Sequence, residues 1–251
     1  MSNAIYNDGN LDASEEPKDV TEYIIFSIDT ATYGRDFLDP NIEPKLSIRT
    51  TFDQNINSLT VKMVTEEHEE LSSAINAAIL RSLGSMGLEE SIYHYRTTTI
   101  PMTNGHKQPD EAWGPRPLPT GRPRRPTVVV EVTITETYAK LLRDTNRWLD
   151  PIDGLAKVVL AIKADRQRPR ITIERWQYDS AKAETEKVQT VEIIESSEGD
   201  KVIVTGGPLL IPFHLFFLRP AEPSKEADIL IHEKELKEIA QLIWEVQFTA
   251  F

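Results

Sequence analysis

Asp110, which follows Pro109, and Glu131, at the centre of Thr127-Val-Val-Val-Glu-Val-Thr-Ile-Thr135, are the residues whose type and setting suggest chemistry. The segment around Glu131 alternates as a strand, so Val128, Val130, Val132 and Ile134 share one face, and Thr127, Val129, Glu131, Thr133 and Thr135 share the other. A central strand covered on both sides should be apolar on both. A carboxylate among threonines therefore indicates a cleft, because burying an unpaired charge is very unfavourable. Two carboxylates on adjacent strands repel each other, and a bound Mg²⁺ relieves that repulsion. An ion so held can orient a phosphodiester, activate a water and stabilise the departing oxygen. The alternative is structural: Glu131 pairs with an arginine such as Arg143 or Arg175, and Asp110 is only a loop residue.

Several elements must position these two groups. Lys45–Phe52 and Leu59–Val64 read as strands joined by the turn-forming Asp53-Gln-Asn-Ile-Asn-Ser58, hence an N-terminal β-hairpin. Thr65 starts a helix with acids in its first turn and an apolar stripe of Leu71, Ala74, Ile75, Ala78 and Ile79, stopped at Gly84 or Gly87. A strand is expected over Ser91–Ile100. Prolines at 109, 115, 117, 119, 123 and 126 then predict a stiff irregular loop. After the Glu131 strand, Thr135 can cap a helix lined by Tyr138, Leu141, Leu142, Thr145, Trp148 and Leu149. Strands follow at Lys157–Lys163 and Ile171–Trp176. Residues 177–200 read as a charged excursion with one strand at Val188–Ile194, and Lys201–Thr205 and Pro208–Leu218 as further strands. A closing helix carries Leu236, Ile239, Ala240, Ile243 and Trp244 on one stripe. The mixed order of helices and strands predicts an α/β protein. Residues 1–20 are polar and acidic and are expected to be disordered, with 21–251 forming one domain around a core of about residues 60–176.

The net charge of −12 argues against a polyanionic partner until its distribution is considered. Residues 1–91 carry a net −11, whereas residues 116–175 hold 13 Lys+Arg against 7 Asp+Glu, a net +6. The basic excess thus falls on the segment with the candidate site, and such a stretch can guide a polyanion. Gly121-Arg-Pro-Arg-Arg-Pro126 places Arg122, Arg124 and Arg125 as candidate nucleic-acid contacts, with solvated loop charge as the alternative. No run approaches the length of a membrane span, and no membrane partner is expected. The absence of cysteine and of a secretory start favours an intracellular address, nucleus or cytoplasm alike. Histidines at 68, 94, 106, 214 and 232 include no i,i+4 pair, which disfavours a histidine zinc site. Neither a glycine-rich phosphate loop nor a serine nucleophile elbow is present.

His68-Glu69, Lys107-Gln-Pro-Asp110, Pro126-Thr-Val-Val-Val-Glu131-Val, Thr135-Glu136-Thr-Tyr-Ala-Lys140-Leu, Trp148-Leu149, Lys157-Val-Val-Leu160, Leu210-Ile-Pro-Phe213 and Phe217-Leu-Arg219 follow one another in an order with a known counterpart. The chain resembles a broad group of fungal proteins of restriction-endonuclease-like fold, the PD-(D/E)xK superfamily, related to a large bacterial family assigned to restriction-type endonucleases. The resemblance spans roughly residues 45–246. It implies a mixed sheet flanked by helices, with a C-terminal strand–helix extension. It also implies Asp110 and Glu131 as ligands of Mg²⁺ or Mn²⁺, with Glu69 as a third acid from the helix. A lysine two residues past the glutamate would position the attacking water, and here that place is Thr133. The lysine migrates within the superfamily, and Lys140, Lys107 and Lys163 are the replacements, with Lys140 preferred. Its alternative is an ordinary Glu136–Lys140 surface pair. Three functions follow: a metal-dependent nuclease acting on nucleic acid, a catalytically silent relative binding nucleic acid or protein, and an interaction module, with a homodimer among the expectations.

Overall fold

The computed structural model describes residues 23–39, 48–96, 98–134, 137–196 and 201–248. The expectation of a disordered N-terminus, the Thr135 cap and Glu136 lie outside the described residues. In chain order the elements are β1 (Tyr23–Ser27), α1 (Thr30–Phe37), β2 (Ile48–Asp53), β3 (Ser58–Met63), α2 (Glu66–Gly84), β4 (Ile92–His94), β5 (Ile100–Met102), β6 (Gly105–Lys107), β7 (Glu111–Pro115) and β8 (Val128–Thr133). They continue with α3 (Tyr138–Leu149), β9 (Val158–Ala164), β10 (Arg170–Asp179), β11 (Glu184–Glu195), β12 (Val202–Thr205), β13 (Leu209–Ile211), α4 (Phe213–Phe217), β14 (Ile229–Ile231) and α5 (Glu233–Phe248). The chain divides into two compact units, residues 1–65 with 98–108 and residues 66–97 with 109–251.

The first unit carries a five-stranded sheet in the order β1-β3-β2-β6-β5. The expected hairpin is β2–β3, with Phe52 opposite Leu59. Its turn is held where Asp53 Oδ1 accepts from Asn55 N at 2.9 Å. The helix α1 was not legible as a periodic stripe. Its start is fixed by Asp29, which accepts from Thr32 N at 2.7 Å and is held below the usual carboxylate range by that bond. Tyr33 stacks on Phe52 at 4.3 Å between centroids, and with Leu59 they form a small buried cluster.

The second unit is built on a seven-stranded sheet in the order β12-β11-β10-β9-β8-β7-β4. Only β8 and β9 are parallel, and α3 makes the crossover between them. One face is covered by α2 and α5. Leu71, Ile75 and Ile79 of α2 and Leu236, Ile239 and Ile243 of α5 bury against Val130, Val132, Leu160, Ile162, Ile173 and Val191. The stripes predicted for these helices are the buried ones. The architecture is mixed α/β, sheets flanked by helices, as the sequence predicts.

Four local expectations are corrected. Within the expected excursion over 177–200, residues 177–195 belong to the hairpin β10–β11, paired from Arg170↔Ile194 to Asp179↔Glu184. Its low apolar content arises because one face of a long hairpin stays solvated, which needs alternation rather than continuous hydrophobicity. The proline-rich stretch contains a strand, β7, in which Pro115 stands at the end where a missing N–H interrupts no ladder. The run Pro208–Leu218 is a short strand followed by the helix α4, because Pro212 ends the ladder and its fixed φ suits a helix start. The Ser91–Ile100 segment splits into β4 and the start of β5, one in each unit. The cap of α3 is Thr137, whose hydroxyl accepts from Lys140 N at 3.3 Å.

Candidate functional site

All six residues of β8 are buried. Val128, Val130 and Val132 join the core under α2, so alternation turns Val129, Glu131 and Thr133 to the other face, beneath α3. There the indole N–H of Trp148 donates to Glu131 Oε1. Both side chains are buried, Glu131 to within 4% and Trp148 completely. An indole N–H is a donor only, so it can serve a buried carboxylate without adding a charge.

Asp110 stands directly before β7. The register Trp113↔Val128, Ala112↔Val129, Glu111↔Val130 brings it level with Glu131 on the neighbouring strand. Its Oδ2 accepts from Val132 N at 2.8 Å and lies 3.2 Å from His68 Nε2 of α2. The Asp110 and His68 side chains are each 1% exposed. Apart from that Nε2 contact, neither ring nitrogen of His68 has a well-aligned hydrogen-bond partner among the described residues. A buried histidine with unused hydrogen-bonding capacity against a buried aspartate has the character of a site rather than of a core. In the sequence His68 is read in the helix start, in the motif order and among the histidines without an i,i+4 pair, but with no role beside Asp110. The one signal was an ionisable residue on the buried side of the helix's first turn, three residues before Leu71.

The other expected residues lie on separate elements. Glu69 is half-buried in the first turn of α2. Lys140 Nζ is bonded to Asp144 Oδ2 at 3.0 Å along α3. Lys107 is buried at the end of β6, in the first unit. Among the described residues, no three His, Asp or Glu side chains gather as a metal-holding group. Lys163 is differently placed. The parallel register pairs Glu131 with Ala161 and Thr133 with Lys163. The antiparallel register of β9 and β10 extends both rows, Ala161 to Glu174 and Lys163 to Thr172. Lys163 therefore stands on the Glu131 face, one strand from Thr133, about 5 Å away across the ladder.

Beside this row lies a cavity of about 250 Å³ lined by Tyr138, Leu141, Ala161, Lys163, Asp165, Arg170, Thr172 and Glu174. Glu174 is its fixed anion: its carboxylate accepts from Tyr138 Oη at 2.9 Å and Trp176 Nε1 at 3.0 Å, and from Lys187 Nζ at 2.8 Å. Burial, then the neighbouring Glu174 carboxylate, pushes the Tyr138 phenol up to about 12. Because the folded state keeps this proton longer than the unfolded chain, the resulting stability is complete below about pH 10 and is lost as pH rises from there through 12. Ultraviolet titration of wild type against Tyr138→Phe is expected to show one tyrosine ionising near 12, moved down by Glu174→Gln. An unchanged titration in Glu174→Gln rules out the contact.

No family model matches the chain, and no curated protein matches it. Among solved structures the chain is similar to a protein of Anabaena variabilis described as a "putative nuclease belonging to DUF820", at 11% identity and a TM-score of 0.41, over 72% of this chain and 87% of that one.

Proposed function

We propose that the protein is a metal-dependent nuclease that hydrolyses phosphodiester bonds, with Asp110, Glu131 and Lys163 as its working residues. The observation that carries this reading is the register: Asp110 level with Glu131, and Lys163 level with Thr133, on neighbouring strands of one sheet. On this reading the ammonium that the resemblance expects at Thr133 comes instead from Lys163, its register partner on β9.

The donor set suits Mg²⁺ or Mn²⁺ in kind. Such ions take hard oxygen ligands, are often held by only one or two carboxylates, and complete their shell with water and substrate phosphate. Asp110 and Glu131 would hold the ion. When bound, it supplies charge to the phosphodiester oxygens and lowers the pKa of a coordinated water. The protein's own share is orientation. Val132 N–H fixes Asp110, the Trp148 indole fixes Glu131, and the Lys163 ammonium faces the cavity, where it can hold a water or offset charge developing on phosphate.

The assay uses plasmid, single-stranded DNA and RNA with Mg²⁺ or Mn²⁺. The wild type is expected to cut at least one of them. Lys163→Met should lower the rate by about 10²–10³-fold, the loss typical of one preorganised electrostatic group. Lys140→Ala should cut like the wild type, because Lys140 is bonded along its own helix. Background rates from the wild type on every substrate sink the reading, and equal loss in both lysine variants sinks the choice of Lys163.

A second reading, a silent relative that binds through the same fold, is favoured by one observation. Both carboxylates are nearly inaccessible and accept bonds from within the protein.

A further inference from the structure

At the opposite end of β8 from Glu131, the sheet carries a concentration of positive charge in a chain of net charge −12. Arg116 follows β7, and Arg122, Arg124 and Arg125 lie in the segment entering β8. Lys157 stands at the entry to β9, where its N–H and that of Val158 both donate to Thr127 O. Two of these guanidinium groups gather on one ring: Arg124 lies 4.6 Å and Arg116 5.8 Å from the Tyr93 centroid. Beside Tyr93, burial pushes the Tyr95 phenol up while the Arg124 and Arg125 charges pull it down. Burial, then Arg122, lowers the Lys157 ammonium. Arg116 and Arg124 thus meet on Tyr93, Arg124 and Arg125 act on Tyr95, and Arg122 acts on Lys157 at the neighbouring entry to β9.

Among the described residues none of the five is ion-paired with a carboxylate. That is unusual here, because Asp and Glu outnumber Lys and Arg by 40 to 28. Arg116, Arg122 and Arg124 are exposed, whereas Tyr95 is 5% exposed and its hydroxyl forms no well-aligned hydrogen bond. Like charges held together without counter-charges cost free energy in the free protein, and an anion removes that cost. Stacking against Tyr93 also preorganises two planar donor forks, the arrangement that suits phosphate oxygens. With Arg116 and Arg124 both against the Tyr93 ring, the cluster offers donors to phosphate rather than an aromatic platform to a base.

We propose that Arg116 and Arg124, gathered on Tyr93, form with the adjoining Arg122, Arg125 and Lys157 a docking site for the phosphodiester backbone of a nucleic acid. The choice of nucleic acid among polyanions rests on the nuclease reading above; the existence of an anion site does not. The site holds the chain away from the chemistry, about 10 Å along β8 from Glu131. It contributes affinity without base selectivity.

The test separates docking from turnover. Anisotropy of labelled single-stranded DNA and RNA is measured in chelator with the Asp110→Ala protein, so that cleavage plays no part. This protein is expected to bind, with affinity falling as salt rises. Adding Arg116→Gln and Arg124→Gln together should weaken binding about tenfold or more, with the salt slope reduced by roughly one for each phosphate no longer neutralised. Arg219→Gln serves as a control, since Arg219 is occupied by Glu226 at 2.6 Å, and it should change neither quantity. Unaltered affinity and slope in the double arginine variant, with an unchanged melting temperature, overturn the site. Equal binding of heparin or anionic vesicles with the same arginine dependence overturns the assignment to nucleic acid. Binding abolished through these arginines while the nuclease assay stays blank supports the docking site and sinks only the catalytic reading.

Discussion

Asp110→Ala and Glu131→Ala are each expected to bring cleavage of plasmid, single-stranded DNA and RNA to background under Mg²⁺ or Mn²⁺. The expectation follows from the register that sets the two carboxylates level on adjacent strands. Removing either takes away half of the carboxylate charge that would hold the ion and leaves the other carboxylate without its partner. Glu131→Gln is the sharper variant. Its amide oxygen still accepts from the Trp148 indole, and its volume is that of the acid, so the fold should hold while the charge is gone. The second readout is thermal. A ligand that binds only the native state stabilises by RT ln(1 + [L]/Kd), about 2.7 kcal/mol at a hundredfold excess over Kd. Metal should therefore raise the melting temperature of the wild type and not that of the variants. Cleavage retained by Glu131→Gln removes Glu131 from the chemistry. A metal-induced shift without cleavage on any substrate transfers the protein to the silent reading.

The largest stability effect is expected at Trp148. This ring is completely buried between α3 and the sheet, and truncating such a side chain to alanine costs about 3–5 kcal/mol. Trp148→Phe divides that cost. It keeps most of the buried area and removes the donor to Glu131 Oε1, so it should cost about 1–3 kcal/mol, the range for a buried polar group deprived of a partner. Denaturant unfolding of the two variants, read as midpoint at constant m, measures the division. If Trp148→Phe is as stable as the wild type, the indole N–H contributes nothing and packing alone places the ring.

Much of the second unit was legible because its elements obey simple periods. The stripes of α2 and α5 are the buried faces, and the alternation around Glu131 assigned its side correctly against a partner helix that the sequence also supplied. Two of the misjudged segments share one cause. The β10–β11 hairpin is long with one wet face, and β7 sits among prolines, so composition spoke for loop in both while strand pairing decided for sheet. Pairing is non-local and leaves no mark in either partner alone.

The candidate site divides the same way. The sequence by itself determined that β8 carries a carboxylate where an apolar residue is expected, that an aspartate follows a proline upstream, and that Thr133 stands two residues past the glutamate. It also placed the basic excess on residues 116–175. Only the tertiary structure decided that Lys163 stands level with Thr133, that His68 lies against Asp110, that Trp148 holds Glu131, and that Arg116 and Arg124 meet on Tyr93. Types and periods are local properties of the chain. Which lysine faces which threonine depends on strand register, and register is set by burying whole faces together.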